Sequence, residues 1–76
     1  MDFNEAFNFQ ERQIISGYLS LMREKPHAKI TVKELSERCA IARTTFYRFF
    51  EDTYDLLERL EQYLLGELML YRPLMN

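Results

Sequence analysis

Apolar residues recur at helical spacing along almost the whole chain, and this pattern most limits what the chain can fold into. Three or four residues separate Ile14, Tyr18 and Leu21, and the leucines of residues 56–64 repeat that spacing. Such spacing places apolar side chains on one face of an α-helix. The one alternating run, residues 29–33, is too short to indicate a strand. The sequence therefore predicts an all-α fold, a small helical bundle.

The chain has few means of stabilising itself other than apolar packing. A domain of 76 residues buries only about 60% of the surface that its unfolded chain exposes, so its stability is small. One cysteine, Cys39, and one histidine, His27, cannot form an internal disulfide or a four-ligand zinc site. We therefore expect a hydrophobic core or added stability from a partner, no metal and no cofactor. Cys39 and His27 are expected in structural or solvated positions.

Helix-breaking and helix-capping residues divide the chain into four predicted helices. Pro26 ends the first, because proline disfavours helical geometry at the residue before it. Thr31 and Glu34 form the Thr-x-x-Glu pattern of a capping box, which marks the start of the second helix. Asp52 or Thr53 can cap the fourth. The four helices are predicted at about residues 4–24, 32–39, 43–49 and 54–70.

Gly17 stands inside the first predicted helix. Glycine costs a helix interior roughly 1 kcal/mol relative to alanine. Close approach of a neighbouring helix would explain it, since glycine has no side chain to hold that helix away.

Charge is distributed unevenly along the chain. The net charge of −2 at first argues against a nucleic-acid partner. Residues 31–50 nevertheless carry a net charge of +2, whereas residues 1–30 are neutral overall and residues 51–76 carry −4. A DNA-binding surface is a local property, so the central basic excess keeps this function open.

The two short central helices suggest a helix-turn-helix, and the residues around them make the pattern specific. The chain from about residue 10 to residue 60 resembles the N-terminal domain of TetR/AcrR-family transcriptional regulators. This resemblance implies a homeodomain-like core of three helices, followed by a fourth connecting helix. It rests on Ile-Thr-Val-Lys-Glu-Leu at 30–35, Ile-Ala-Arg-Thr-Thr-Phe-Tyr-Arg-Phe-Phe at 41–50 and Tyr-Asp-Leu-Leu at 54–57.

The resemblance also implies which residues meet DNA. Recognition helices enter the major groove and read bases with their N-terminal side chains. Arginine can donate to guanine O6 and N7 together, and a threonine methyl can pack on the thymine methyl. Tyr47 matches a tyrosine that usually contacts a phosphate, and Arg48 could add another such contact. With the start of the second helix, whose N-terminus favours phosphate, the candidate DNA-binding residues are Thr31, Lys33, Arg43, Thr44, Thr45, Tyr47 and Arg48.

Several of these residues also have a purely structural interpretation. Tyr47 could fill a gap in the core, Arg43 could be a solvated charge, and Thr31 is a helix cap first. Phe46 and Phe50 are four residues apart and so share one helix face. We expect both phenylalanines in the core rather than stacked on bases.

The chain departs from the family pattern at four positions. Ala40 stands where the turn usually has glycine, so this turn must tolerate a methyl group. Ala42 replaces the usual capping serine or asparagine, which removes a side-chain cap of about 1 kcal/mol. Phe49 and Thr53 replace a histidine and a lysine that commonly contact the DNA backbone. We therefore expect weaker phosphate binding and a flatter salt dependence.

The stretch at residues 64–71 is unusually apolar for an exposed end. Family members carry a C-terminal helical domain that binds an effector and dimerises, and no part of this chain corresponds to it. We expect that such a domain covers the stretch, or that the stretch pairs with another chain. The resemblance implies a ligand-controlled repressor that binds a palindromic operator as a homodimer, with half-sites about one turn of DNA apart or a multiple of it.

A protein-interaction module that keeps the fold but has lost DNA binding is the alternative function. The acidic fourth helix favours it, as do Phe49 and Thr53. An enzyme has little support, because the chain lacks a glycine-rich phosphate loop and a nucleophile–base pair at useful spacing. The acids Glu51, Asp52 and Asp55 indicate helix capping rather than catalysis or metal binding.

The sequence also indicates where the protein works. No apolar run reaches the roughly 18 residues of a membrane-spanning helix, so no membrane partner is expected. The N-terminus carries acids and no basic leader before a hydrophobic run, unlike a signal peptide. With one free cysteine, these features predict a cytoplasmic protein, which would associate with the bacterial nucleoid when bound to DNA.

Overall fold

The computed structural model describes residues 2–70, with side chains described as far as Gly66. Helices account for the regular structure of these residues, and no strand occurs among them. The predicted all-α class is therefore confirmed. The elements are α1 (Phe3–Ala6), α2 (Phe9–Met22), a 3₁₀ turn (His27–Lys29), α3 (Val32–Cys39), α4 (Arg43–Phe49) and α5 (Thr53–Leu70).

The first predicted helix, residues 4–24, is wrong in its bounds, because two helices replace it. Asn8 is extended at φ −76° and ψ 176°, and its side chain accepts a hydrogen bond from the Glu11 N–H at 2.8 Å. The Glu11 carboxylate accepts in return from the Asn8 N–H at 2.9 Å. Asp2 and Glu5 form the same capping box before α1. The first N–H groups of a helix have no partner inside it. The two boxes satisfy such groups at the starts of both α1 and α2.

Helices α3 and α4 have the bounds that the sequence predicts. Thr31 caps α3 as predicted, since its Oγ1 accepts from the Glu34 N–H at 3.1 Å. The second half of the predicted capping box is wrong. The Glu34 carboxylate instead accepts from Lys25 Nζ at 2.6 Å. This ion pair ties the turn after α2 to the first turn of α3.

One hydrophobic core joins the helices. Phe46 and Phe50, predicted to be core residues, are both buried in it. The core takes most of its members from α2 and α5, as the apolar spacing predicts. The buried residues are Phe7, Ile14, Ile15, Tyr18, Leu21, Ile30, Leu35, Phe46, Phe50, Leu56 and Leu60.

None of the described helices combines the length and apolar character that crossing a membrane requires.

Helices α2 and α3 cross at Gly17. A Cβ atom on this residue would overlap Cys39 Sγ and touch the Arg38 side chain. The close helix approach suggested by the glycine is therefore confirmed. Beside the crossing, Arg38 donates to Ser20 Oγ at 2.7 Å and to the Glu24 carboxylate at 3.0 Å, which fastens the same two helices.

Ala40 forms the turn between α3 and α4 in the left-handed conformation, at φ 58° and ψ 42°. Its N–H donates to the Glu37 carbonyl at 3.2 Å, and the Ile41 N–H donates to the Ser36 carbonyl at 3.0 Å. This pair of bonds is the Schellman ending of a helix, which usually has glycine at the left-handed position. An L-residue there costs roughly 1–2 kcal/mol. The turn thus tolerates the methyl group at an energetic cost.

We predict that Ala40→Gly stabilises the domain by about 1 kcal/mol, because it removes the left-handed strain. Chemical denaturation monitored by circular dichroism would measure the change. Ala28→Gly is the matched control, since Ala28 is equally exposed but lacks a positive φ. It should lower the free energy of unfolding. Equal effects of the two substitutions would contradict a strained Ala40.

We predict that Gly17→Ala destabilises the domain, although alanine favours a helix by about 1 kcal/mol. The added Cβ displaces the Cys39 thiol, and overpacking of this kind costs about 1–3 kcal/mol. The double variant with Cys39→Ala should recover part of that loss, because it removes the overlapping sulfur. Gly66→Ala is the control, as a Cβ there meets nothing within 4 Å, and it should stabilise α5. A Gly17→Ala protein as stable as this control would rule out the close crossing.

Candidate nucleic-acid interface

Helix α4 presents one face to the core and the other to solvent. Phe46 is fully buried on the inner face. Arg43 and Thr44 are exposed in the first turn, and Thr45 is half-buried beside them. The structure thus places the three predicted base-reading residues together at the N-terminal end of α4, with Thr45 the least accessible.

Tyr47 extends from the exposed face of α4 and does not fill a gap in the core. Its side chain is 53% exposed. Its ring meets the Phe46 ring edge-on, with centroids 5.5 Å apart and 87° between the ring planes, an arrangement that aromatic pairs prefer. The buried Phe46 therefore supports the Tyr47 ring. Arg48, the next residue, is also exposed.

The first turn of α3 supplies the second group of candidate residues. Thr31 is exposed, and its Oγ1 already accepts the capping hydrogen bond from Glu34. A hydroxyl also has a proton to donate, so capping leaves Thr31 able to bond an anion. Lys33 is exposed two residues later. Helix α3 packs against α4, and the two groups belong to one helix-turn-helix.

Basic side chains in and beside α3 and α4 differ in whether an internal acid engages them. Lys25 and Arg38 pair with acids inside the domain, at 2.6 and 3.0 Å. Within residues 2–66, no hydrogen bond or ion pair engages the side chains of Lys33, Arg43 or Arg48. These three lie in α3 and α4, where the sequence has its net positive charge. They can contact phosphate without breaking an internal ion pair.

The start of α5 has few side chains suited to contacting DNA. Thr53, which stands where the family commonly has a lysine, is buried, and Phe49 packs half-buried against the core. Asp52 caps the helix by accepting from the Asp55 N–H at 2.8 Å, and Asp55 accepts from the Glu51 N–H at 2.9 Å. The carboxylates of Asp52 and Asp55 therefore cap backbone groups at the start of α5, as predicted, whereas Glu51 takes part through its backbone N–H. In the part of the chain that the structure describes, they form no cluster able to hold a metal ion.

Arg59 is the important residue that sequence reasoning missed. It projects from α5 and donates to the Phe49 carbonyl at 2.9 Å and to the Glu11 carboxylate at 2.9 Å. Its guanidinium carbon lies 4.8 Å from the centroid of the Phe50 ring. Arg59 thus contacts the C-terminal end of α4 and the start of α2 together. The one sequence signal is a basic residue beside the buried Leu60 in an otherwise acidic stretch.

His27 and Cys39 are structural residues. His27 Nδ1 lies 2.6 Å from the Tyr18 hydroxyl, and its ring meets the Tyr54 ring edge-on at 4.7 Å. Burial raises the pKa of Tyr18, and the nearby Glu61 carboxylate raises it further. Burial also raises the pKa of the Cys39 thiol. The Tyr18 hydroxyl and the Cys39 thiol therefore stay neutral at pH 7, and a neutral thiol is a poor nucleophile.

Comparisons with known proteins agree on the class of domain. A family model described as bacterial regulatory proteins, tetR family, matches residues 14–60, from α2 into α5. The uncharacterized HTH-type transcriptional regulator YxbF of Bacillus subtilis (strain 168) is 29% identical over 48 residues, which cover 63% of this chain. The match spans only 13% of the length of that relative. No solved structure matches the chain.

The N-terminus of α4 yields a further prediction. Ala42 is extended at φ −75° and ψ 153°, as a cap residue should be, but provides no side-chain hydrogen bond. Ala42→Ser should stabilise the domain by about 1 kcal/mol, because the serine oxygen can accept from the N–H groups of the first turn. Thermal unfolding of both proteins would measure it. Ala42→Val controls for side-chain size, and an equal gain in that variant would show that capping is not the cause.

Proposed function

Because this chain belongs to the tetR family of bacterial regulatory proteins, we propose that it binds double-stranded DNA sequence-specifically as the DNA-binding domain of a transcriptional regulator. The family match confirms the resemblance to TetR/AcrR-family regulators. Proteins of this family are DNA-binding regulators and not enzymes. The observation that supports the proposal most is the exposed face of α4, where Arg43, Thr44 and Tyr47 stand free of the core.

The N-terminal end of α4 is proposed to read bases in the major groove. Arg43 suits a guanine, whose O6 and N7 accept together from a guanidinium. Thr44 is exposed beside it, and its methyl group suits the methyl of thymine. Thr45 is half-buried and would contribute through its hydroxyl. No internal partner has to be displaced from Arg43 within the described residues.

The remaining candidates are proposed to contact phosphates on either side of the groove. Tyr47 and Arg48 extend from α4, whereas Thr31 and Lys33 stand at the start of α3. Such contacts fix the register of the protein on DNA and carry no direct sequence information. The buried Thr53 and half-buried Phe49 add no charge to this set. We therefore expect modest affinity for a single domain.

A longer regulator is proposed around this domain. The matched region is a small part of the Bacillus subtilis relative, which leaves ample chain for an effector-binding and dimerising region. Leu64 and Leu65 are more than half exposed on α5, and adjacent exposed leucines suit a surface that another domain covers. The protein would then act in the cytoplasm, at the nucleoid, as a homodimeric, ligand-controlled repressor of a palindromic operator. The encoded sequence after Asn76 tests this directly.

A protein-interaction module is the second candidate. The acidic composition of α5 favours it. Phe49 and Thr53 favour it too, because they replace a histidine and a lysine that commonly contact the DNA backbone in the family. It predicts no salt-dependent affinity for DNA, even when two domains are held together.

Site selection from random DNA tests the first proposal. The 76-residue chain would be held in pairs by an appended parallel coiled coil, since a single domain should bind weakly. On the selected sites, Arg43→Ala should lower affinity at least about tenfold and relax the preference at one base pair. Tyr47→Ala and Arg48→Ala should weaken all sites alike, and Arg48→Ala should reduce the salt slope by about 1.

Arg23→Ala is the matched control for these substitutions. Arg23 is an exposed arginine directly after the last residue of α2, beside Leu19 and Ser20. Its loss removes the same charge but should leave the base preference unchanged. Unaltered binding in the Arg43 and Tyr47 variants would disprove the assigned contacts. Absence of any salt-dependent binding would instead support the interaction module.

A further inference from the structure

We propose that Arg59 is a positioning residue that holds the recognition helix α4 in its reading orientation, and so sets how well the domain distinguishes its operator from other DNA. This inference rests on the proposed DNA-binding function. It gives a role to a residue that lies on α5, outside the exposed face of α4.

Helix α4 needs such support because it cannot stabilise itself. It has seven residues and no side-chain cap at its N-terminus. Isolated helices shorter than about 12–15 residues are marginal even in favourable sequences. Its orientation is therefore set by the contacts that it makes with the rest of the domain, and Arg59 contacts both its last residue, Phe49, and the following Phe50.

Arg59 engages the C-terminal end of α4 through a carbonyl and a ring. Its Nη1 donates to the carbonyl of Phe49, the last residue of α4, at 2.9 Å. The last carbonyls of a helix have no partner within it, and a cation there suits the helix dipole. The guanidinium also lies over the Phe50 ring, at 4.8 Å from its centroid. The end of α4 is thereby fixed in direction as well as in position.

Glu11 fixes Arg59 in turn. One Glu11 oxygen accepts from the Asn8 N–H in the capping box of α2, and the other accepts from Arg59 Nη2, both at 2.9 Å. The Glu11 side chain is only 12% exposed, and that of Arg59 is 35% exposed. Charge-assisted hydrogen bonds with so little exposure are stronger than ordinary surface ion pairs. A continuous set of contacts therefore connects the start of α2 to the end of α4.

Loss of this set should affect specificity more than general affinity for DNA. Base contacts require Arg43 and Thr44 to reach hydrogen-bonding and methyl groups at fixed places in the groove. Phosphate contacts depend mainly on charge and tolerate small displacements. If α4 reorients while the domain stays folded, binding to the operator weakens and binding to random DNA changes little.

The test is Arg59→Gln in the paired 76-residue chain. Affinity would be measured by fluorescence anisotropy on the selected operator and on a random duplex of equal length, at a temperature where circular dichroism shows a folded domain. We expect operator affinity to fall about tenfold, as it would if only about one molecule in ten kept α4 in its reading orientation. Affinity for the random duplex should remain within about twofold, so the ratio of the two affinities falls.

Arg38→Gln is the matched control, because Arg38 is also 35% exposed and also bridges two helices. Its partners are Ser20 on α2 and Glu24 in the turn that follows α2, and α4 is not among them. It should lower the melting temperature without changing the affinity ratio. Glu11→Gln is the second variant if Arg59→Gln fails to fold. Glutamine can keep the capping bond to Asn8 but loses the charge facing Arg59, so it should lower the ratio by a smaller factor.

The outcomes separate this inference from the function on which it rests. An unchanged affinity ratio in Arg59→Gln, or in Glu11→Gln when the first variant does not fold, would overturn the positioning role. An equal fall in the Arg38→Gln ratio would also overturn it, since general stability would then explain the effect. A wild-type protein that does not distinguish the operator from the random duplex would instead overturn the proposed function.

Discussion

The burial of Phe46 is the interaction on which the candidate DNA-binding surface depends. Helix α4 is too short to persist by itself and begins without a side-chain cap, so its order comes from its inner face. Phe46 lies fully buried there, supports the exposed Tyr47 ring, and precedes the turn at Phe50 that Arg59 covers. The exposed residues of α4 therefore keep their arrangement only while the whole bundle is folded.

The segment before α4 is the least favourable part of the backbone. Ala40 is held in a conformation that costs roughly 1–2 kcal/mol for an L-residue, and Ala42 omits a cap of about 1 kcal/mol. Total stability of small domains is only about 5–15 kcal/mol. The close crossing of α2 and α3 at Gly17 and the Schellman hydrogen bonds hold this turn in place. Packing thus overrides the local preferences of the residues that lead into α4.

The parts of the structure that depend on near neighbours could be predicted from the sequence, and the parts that depend on distant neighbours could not. Thr31 caps α3 because its partner lies three residues away. The break before Asn8 has an equally local signal, the Asn-x-x-Glu pattern, which the continuous apolar spacing outweighed. Glu34 follows the capping pattern but bonds Lys25, because the tertiary fold brings the Lys25 side chain within reach. Arg59 bonds Glu11, which lies 48 positions away along the chain.

The same distinction explains why the net charge of −2 is a poor guide to this surface. Glu11, Glu24 and Glu34 are each paired with a basic side chain inside the domain, and the acids around residue 52 cap α5. A phosphate responds to the charges near it, because screening limits their reach to about 10 Å at moderate salt. Lys33, Arg43 and Arg48 lie on the two helices of the helix-turn-helix without internal ion pairs among the described residues. The pairing of charges within the fold, rather than their sum, determines which charged side chains this domain can present to DNA.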